Sequence, residues 1–177
     1  EDVTCVGVVC RVLLFLMTRR PPRAALFAYA PLFRYIRALV NFGDVEAGEL
    51  GGYVEEDGNL GVDGNAWVYG NAWVYGNAQV SGDARVCGDA RVCGNGDYAY
   101  AHGFGSVNRT TTFFRLKDGG VGVRCGCFYG TLAQFRDKIR ETHGETKKAQ
   151  EYLMLADLME LRFEEDENEV GNRKYVE

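Results

Sequence analysis

Residues 64–95 read GNAWVY GNAWVY GNAQVS GDARVC GDARVC GN, a six-residue unit that occurs five times in succession and then begins again. Each unit opens with Gly followed by Asn or Asp, and its fifth position is always Val. A helix repeats about every 3.6 residues and a strand every two, so a period of six is typical of a short strand followed by a turn. The repeat therefore predicts stacked strand-and-turn units.

The order of residues inside the unit predicts which side chains form the core. The Ala at the third position and the Val at the fifth share a parity, so both point to the same side of an extended segment. The residue between them, such as Trp67 or Arg85, points to the other side. Gly followed by Asn or Asp tolerates the positive φ of a corner. We expect buried columns of Ala and Val.

The repeat resembles the hexapeptide-repeat left-handed β-helix family, in which an aliphatic residue is followed four places later by a small one. Val68 and Ala72 keep this spacing, as do the equivalent residues of the next units. The resemblance implies that three units form one coil, so that residue i lies beside residue i+18 in a parallel ladder. Cys87 and Cys93, one unit apart, are then not expected to form a disulfide.

The same register predicts specific neighbours. Trp67 should stack on Arg85 and Trp73 on Arg91, as two exposed cation–π pairs. By the same count, the Tyr that ends each of the first two units should lie over a Cys of the last two. These residues are Tyr69 over Cys87 and Tyr75 over Cys93.

The sequence after the repeat predicts a mixed α and β segment. Residues 110–116 and 121–128 are β-type runs on either side of a hairpin turn at 117–120. Thr131 and Gln134 form a capping-box pattern that opens a helix to about residue 141. A second amphipathic helix is expected at 146–163. The predicted fold class is mainly β: a short left-handed parallel β-helix followed by a β-hairpin and two C-terminal α-helices.

The predicted divisions of the chain follow from these patterns. Residues 3–17 are apolar except for Thr4 and Arg11, which is shorter than the roughly 20 residues of a membrane span. The basic cluster follows this run, whereas in a signal peptide it precedes the apolar segment. The expected units are an N-terminal extension at 1–33, poorly ordered or a loosely packed helix, the β-helix at 34–101, the α+β cap at 102–163, and an acidic tail at 164–177.

The order of the segments carries a second resemblance. The entrance NFGDV at 41–45, the segment TTTFFRLKDGG at 110–120 and the segment CGCFYGTLAQF at 125–135 resemble uncharacterised hexapeptide-repeat proteins common in bacterial and prophage genomes. The resemblance covers about residues 35–163. It implies no particular reaction.

Composition bounds the partners and the compartment. The 177-residue chain has a net charge of −5, which does not favour electrostatic binding of nucleic acid. Its six Cys lack the spacing of a disulfide framework, so we expect reduced thiols and a cytoplasmic location.

Two groups of residues are candidates for binding. Arg109, Arg115 and Arg124 lie in or beside the predicted hairpin, where their guanidinium groups are hypothesised to bind a phosphate or carboxylate; ion pairing with Asp and Glu is the alternative. The second group is a predicted interface patch on the first complete coil. It consists of Trp67, Tyr69, Trp73 and Tyr75. Either the entrance segment or residues 1–33 cover this patch, or another chain does.

Catalysis and metal binding have few candidates. In hexapeptide acyltransferases a His at a subunit interface generally acts as general base, and His102 is the residue that would fill this role, with an acyl-CoA donor. Two coils are short for such a site, and a packing role for His102 is the alternative. Cys125 and Cys127 lack a second pair at zinc-site spacing, so they are interpreted as core residues and no metal is expected.

These features favour a non-enzymatic binding or assembly module, prophage-associated by resemblance, that binds a protein partner or itself and needs no cofactor. A membrane partner is not expected, and a membrane anchor at residues 3–17 is the alternative. The alternative is a hexapeptide acyltransferase-like enzyme that uses an acyl-CoA donor.

Overall fold

A computed structural model describes residues 33–105 and 109–164. The predicted N-terminal extension, apart from Phe33, and the acidic tail, apart from Glu164, lie outside the described residues. The apolar run at 3–17, considered above as a membrane anchor, lies outside them as well.

The described residues contain twelve short strands followed by two helices. The strands of the first half are β1 (Arg34–Arg37), β2 (Leu50–Val54), β3 (Leu60–Gly64), β4 (Trp67–Val68), β5 (Trp73–Val74), β6 (Val80–Gly82), β7 (Arg85–Val86) and β8 (Arg91–Val92). Those of the second half are β9 (Tyr98–Phe104), β10 (Arg109–Arg115), β11 (Val121–Cys125) and β12 (Phe128–Thr131). The helices are α1 (Leu132–His143) and α2 (Lys147–Phe163).

These strands form several small sheets. One sheet has the order β1-β2-β5-β8 and is mixed, because β1 is antiparallel to β2 while the other neighbours are parallel. A second sheet, β12-β11-β10-β9, is antiparallel throughout. The remaining pairs, β3-β6 and β4-β7, are separate two-stranded sheets.

The predicted fold class, a left-handed parallel β-helix followed by a hairpin, is therefore wrong. In the described residues one sheet is mixed, one is antiparallel and two are isolated two-stranded parallel pairs, so they do not form the continuous parallel ladders of a solenoid. The reason lies in the length of the elements. The strands β4, β5, β7 and β8 are two residues long, so each parallel contact ends after two residue pairs and antiparallel strands continue the fold.

Within the repeat, the predicted pairing of residue i with residue i+18 is confirmed at both Trp residues. Trp67 pairs with Arg85 between the parallel strands β4 and β7, and Trp73 pairs with Arg91 between the parallel strands β5 and β8. The Val residues at the fifth position, 68, 74, 80, 86 and 92, are all 0% exposed, and the third-position Ala residues are nearly as buried. Local alternation thus predicts the core correctly even though it does not predict how the sheets connect.

The second half differs from the predicted hairpin by two additional strands. The segment that spans the predicted boundary between the β-helix and the cap forms β9, which pairs antiparallel with β10. The strand predicted at 121–128 stops at Cys125, and after a turn at Gly126 the chain returns as β12. The sequence of such a strand gives only a weak local indication of β-structure, because pairing with its neighbour rather than intrinsic propensity stabilises the strand.

Both helices begin and end near the expected residues. The Thr131 side chain accepts a hydrogen bond from the Gln134 backbone N–H, and the Gln134 side chain accepts one from the Thr131 N–H, so the predicted capping box is confirmed. Thr146 caps α2 by accepting from the Ala149 N–H. Gly144, with φ of +57°, ends α1 in a backbone conformation that glycine adopts without strain.

A buried ion pair joins the repeat to the helical half. The Nε atom of Arg115, in β10, lies 3.8 Å from Oδ1 of Asp97, and both side chains are less than a tenth exposed. Arg115 also donates to the Gly119 carbonyl at 3.0 Å and to the Phe163 carbonyl at 2.8 Å. Asp97 in turn accepts from the backbone N–H groups of Cys93 and Gly94. One side chain thus links the last repeat, the β10–β11 turn and the end of α2.

We expect Arg115→Leu to lower the free energy of unfolding by about 3–5 kcal/mol, because it leaves the buried Asp97 carboxylate without its cation. Urea unfolding followed by circular dichroism measures this change. Arg140→Leu is the matched control: it removes an arginine that pairs with Asp137 at the surface, so its effect should stay below about 1 kcal/mol. Equal effects of the two substitutions would show that the buried pair has no special role.

Candidate functional site

The three arginines proposed as ligand-binding residues lie in three different environments. Arg115 is buried in the ion pair with Asp97. Arg124, in β11, places its guanidinium carbon 6.0 Å from the centre of the Tyr69 ring, against the repeat. Arg109 lies at the start of β10, on the side that faces the helices, and lines a pocket there. The structure therefore does not bring Arg115 and Arg124 together around one anion.

The pocket that contains Arg109 lies between the antiparallel sheet and the two helices. Its volume is about 250 Å³. Phe128, Phe135 and Ile139 supply apolar surface, and the other lining residues are polar or contain sulfur. These are Arg109, Cys125, Cys127, Lys138, Thr142, His143 and Tyr152.

The side chains at this pocket are placed by contacts within the second core. His143, in the last turn of α1, stacks on the Tyr152 ring of α2 with the ring centres 5.9 Å apart. Phe135 packs edge-on against the same tyrosine. The Tyr152 hydroxyl lies 4.0 Å from the Cys125 sulfur, which also accepts from the Thr111 hydroxyl at 3.2 Å. The pocket wall is thus built from packed aromatic rings rather than from a loop.

Cys125 and Cys127 separate after the turn at Gly126. Cys125 is half-buried and packs against the second core, as expected, whereas Cys127 is exposed. Among the described residues, no three His, Cys, Asp or Glu side chains come together in a group that could hold a metal ion. Cys87 and Cys93 are free thiols, and the expectation that they do not bond to each other is confirmed.

His102 lies on β9, away from the pocket. Its side chain is exposed, and Nδ1 is 2.9 Å from the Thr110 hydroxyl of the neighbouring strand. The hydrogen bond to Thr110 on the neighbouring strand accounts for the position of the His102 ring. The role of His102 as general base with an acyl-CoA donor stays a prediction.

The aromatic residues of the predicted interface are covered by the segment before the repeat. Trp67 is 1% exposed and meets the Phe42 ring edge-on at 5.6 Å. Trp73 is half-buried, with the Phe33 ring 4.4 Å away and the Arg91 guanidinium carbon 4.5 Å from its centre. The cation–π pair expected at Trp73 is therefore present.

At Trp67 the expected exposed pair is replaced by a different contact. Arg85 turns to Asp44, with its Nη2 atom 2.8 Å from Oδ1, and its guanidinium carbon is 5.7 Å from the Phe42 ring centre. Trp67 is buried beneath these residues. Of the two explanations considered for the aromatic patch, cover by the entrance segment accounts for Trp67, while an interface role at Trp73 stays a prediction.

The other two patch residues differ in exposure. Tyr75 is 6% exposed, and Tyr69 is half-buried above Cys87. Burial and a hydrogen bond with the Cys87 thiol raise the pKa of Tyr69 well above its ordinary value. Burial likewise raises the pKa of the Cys87 thiol, so this thiol is less reactive than a free one.

Helix α2 also carries an exposed apolar face, which was not predicted from the sequence. Met154, Leu158 and Leu161 are 72%, 54% and 68% exposed. Their spacing of four and three residues places them on one side of the helix, opposite the face that Ala149, Tyr152, Ala156, Met159 and Phe163 bury. This spacing is present in the sequence. The prediction of α2 rested on the buried stripe, which by itself is sufficient to indicate a helix.

Charged residues flank this outer face. Asp157 and Glu160 are both bound by Arg136 of α1, at 2.8 and 2.7 Å. Lys147 and Lys148 begin the helix, and the acidic sequence EEDENE at 164–169 follows its end. The helix thus runs from a basic end to an acidic one.

Comparison of the chain with models of known protein families gives no match, and no curated protein matches it either. Neither helix in the described part of the chain is both long and apolar enough to span a membrane.

The hydrogen-bonded hydroxyl groups of Tyr35, in β1, and Tyr53, in β2, predict that the stability of the protein depends on pH. The hydrogen bond with Tyr35, together with burial, raises the pKa of Tyr53 to about 12. Because the folded state favours the neutral phenol, this contribution to stability is complete below pH ~10, the ordinary tyrosine pKa, and is lost as the pH rises towards 12. Unfolding midpoints measured from pH 9 to 12 should therefore fall less steeply in Tyr53→Phe than in the parent protein.

The matched control for this titration is Tyr100→Phe, which removes an exposed phenol and leaves the Tyr35–Tyr53 pair intact. Its stability profile should keep the slope of the parent protein. Identical slopes for Tyr53→Phe and the parent would contradict the role given to the pair.

Proposed function

We propose that the protein is a non-enzymatic assembly module that associates with a second copy of itself through the outer face of α2. The observation that carries the proposal is the stripe of Met154, Leu158 and Leu161, three large apolar side chains that are more than half exposed on one helix face. Contiguous exposed apolar surface of this kind is typical of contact surfaces. The opposite face of α2 is already buried, so the helix cannot rotate to hide the stripe.

The geometry of a helix favours another helix as the partner. Side chains spaced by four and three residues form the ridge that packs between the residues of a facing helix. Three large residues near the C-terminal half of α2 suffice for about two turns of such contact. The outer face differs from the aromatic interface predicted from the repeat.

The charges of α2 favour a second copy in antiparallel orientation. In this arrangement Met154 of one copy faces Leu161 of the other, and Leu158 lies near the two-fold axis. Lys147 and Lys148 then approach the end at which the other α2 leads into the acidic run at 164–169. A parallel arrangement would place the two acidic ends side by side.

The charged residues beside the stripe bind within their own chain. Glu151 accepts from the Gly105 N–H at 3.2 Å, and Arg162 donates to the Asn95 carbonyl at 3.3 Å. The contact between two copies therefore rests on the apolar stripe itself. Asp157 would approach its own counterpart, but Arg136 neutralises each of them within its own chain.

The size of the stripe indicates a weak dimer. Full burial of a Leu or Met side chain is worth about 1.5–3 kcal/mol. Six partly exposed side chains from two copies then contribute roughly 6–12 kcal/mol, and association costs at least about 4 kcal/mol. We therefore expect a dissociation constant in the micromolar range or weaker, so the measurement requires concentrations of several hundred micromolar.

Leu158→Glu should abolish the dimer, because it places two carboxylates beside the two-fold axis. Sedimentation equilibrium over a concentration series should show the dissociation constant rise by at least about tenfold. Leu50→Glu is the matched control, since Leu50 is a similarly exposed leucine, at 58%, on β2 rather than on α2. A parent protein that is monomeric at all concentrations would sink the proposal.

The orientation of the helices has its own test. Under mild oxidation Leu158→Cys should form a disulfide with its own counterpart, whereas Met154→Cys alone should not, because Met154 is expected to face Leu161. Mixing Met154→Cys with Leu161→Cys should restore the cross-link. Peptide mapping by mass spectrometry separates these bonds from those of the native thiols; a Met154–Met154 cross-link would indicate a parallel pair instead.

A further inference from the structure

We infer that the pocket beside α1 is a binding site for a small anion, a carboxylate or phosphate that bears an aromatic or branched apolar group. This site is separate from the outer face of α2 and does not depend on the dimer. The inference rests on three features of the pocket: the sign of its charges, its apolar floor, and the space that Gly126 leaves for Arg109.

The charges at the pocket are of one sign. Arg109 and Lys138 are the charged side chains that line it, and the described residues that line it include no carboxylate. Lys138 is partly neutralised by Glu141, 2.8 Å away on the exposed side of α1, and this ion pair lowers the pKa of Glu141. Arg109 has no ion-pair partner in the described part of the chain. A guanidinium in this situation can bind both oxygens of a carboxylate or phosphate.

The backbone next to Arg109 is adapted to its position. Gly126 has a φ of +58°, and a Cβ atom at this residue would collide with the Arg109 guanidinium group. Glycine thus serves both the turn between β11 and β12 and the close approach of the arginine. The guanidinium group of the exposed Arg109 side chain therefore lies directly over this turn, at the edge of the pocket.

The floor of the pocket defines the remainder of the ligand. Phe128 and Phe135 are in contact, with ring centres 5.5 Å apart, and Ile139 lies on the same face of α1 as Phe135. The Tyr152 hydroxyl and the Cys125 sulfur are polar groups of the inner wall. With about 250 Å³, the pocket is smaller than the ~300–1,000 Å³ typical of drug-sized ligands. A single ring or a short branched chain with one anionic group fits this volume.

Benzoate and phenyl phosphate are suitable probes, with benzyl alcohol as the neutral analogue and inorganic phosphate as the anion without an apolar group. Calorimetric titration of the full chain at constant ionic strength should show saturable binding of at least one of the two aromatic anions. Benzyl alcohol and inorganic phosphate should each bind at least about tenfold more weakly, because each lacks one half of the recognised chemistry. Equal binding of benzoate and benzyl alcohol, or no binding of either aromatic anion, would overturn the inference.

Substitutions locate the binding to this pocket. Arg109→Met should weaken binding of the aromatic anion by at least about tenfold, since it removes the charged donor and keeps an unbranched side chain in place of the aliphatic part of arginine. Arg140→Met is the matched control: this arginine lies on α1, pairs with Asp137 and does not line the pocket. Unchanged affinity in Arg109→Met would overturn the inference.

A measurement on the unsubstituted protein keeps the test independent of any folding defect in the variant. Cys127 is exposed and lines the pocket, so its alkylation by iodoacetamide reports occupancy. Saturating benzoate or phenyl phosphate should slow alkylation of the Cys127 peptide several-fold, whereas benzyl alcohol should leave it unchanged. Binding of the anion without protection of Cys127 would place the site elsewhere and contradict the inference.

Discussion

The buried ion pair between Arg115 and Asp97 is the interaction on which the relation between the two halves depends. Asp97 gathers backbone N–H groups at the end of the repeat, and Arg115 carries the connection onward to the β10–β11 turn and to the last carbonyl of α2. Because a buried charge is tolerated only beside its partner, the pair favours one docking of the sheets over others. The orientation of α2, and with it the exposed stripe, follows from this docking.

Local patterns predicted the parts of the fold that depend on neighbours in sequence. The alternation of Ala and Val identified the core of the repeat, and the Thr131–Gln134 box identified the start of α1. The way in which strands group into sheets depends on partners distant in the chain. Neither the antiparallel addition of β1 to β2 nor the pairing of β9 with β10 is visible in a six-residue period. The register within the repeat was therefore right while the fold class was wrong.

At the candidate sites, the sequence likewise predicts which face of a strand a side chain occupies, but not which element packs against that face. Strand parity places Arg124 and Cys125 on opposite faces of β11, but it does not say that the repeat covers one face and α2 the other. For Arg115 the ion-pairing alternative is the one observed, but its partner Asp97 lies outside the predicted hairpin, so the local sequence did not identify the pair. The outer stripe of α2 did have a local signal, the spacing of Met154, Leu158 and Leu161.

The two halves differ in how far the chain itself covers their large side chains. In the repeat half the large aromatic side chains are satisfied within the chain, since Phe33 and Phe42 pack on Trp73 and Trp67. The helical half leaves two features without such cover: the apolar stripe of α2 and the cationic pocket at Arg109. Both are presented by regular helices and strands, whose geometry is more rigid than that of a loop. The two surfaces for which we propose contacts therefore both lie in the segment that follows the repeat.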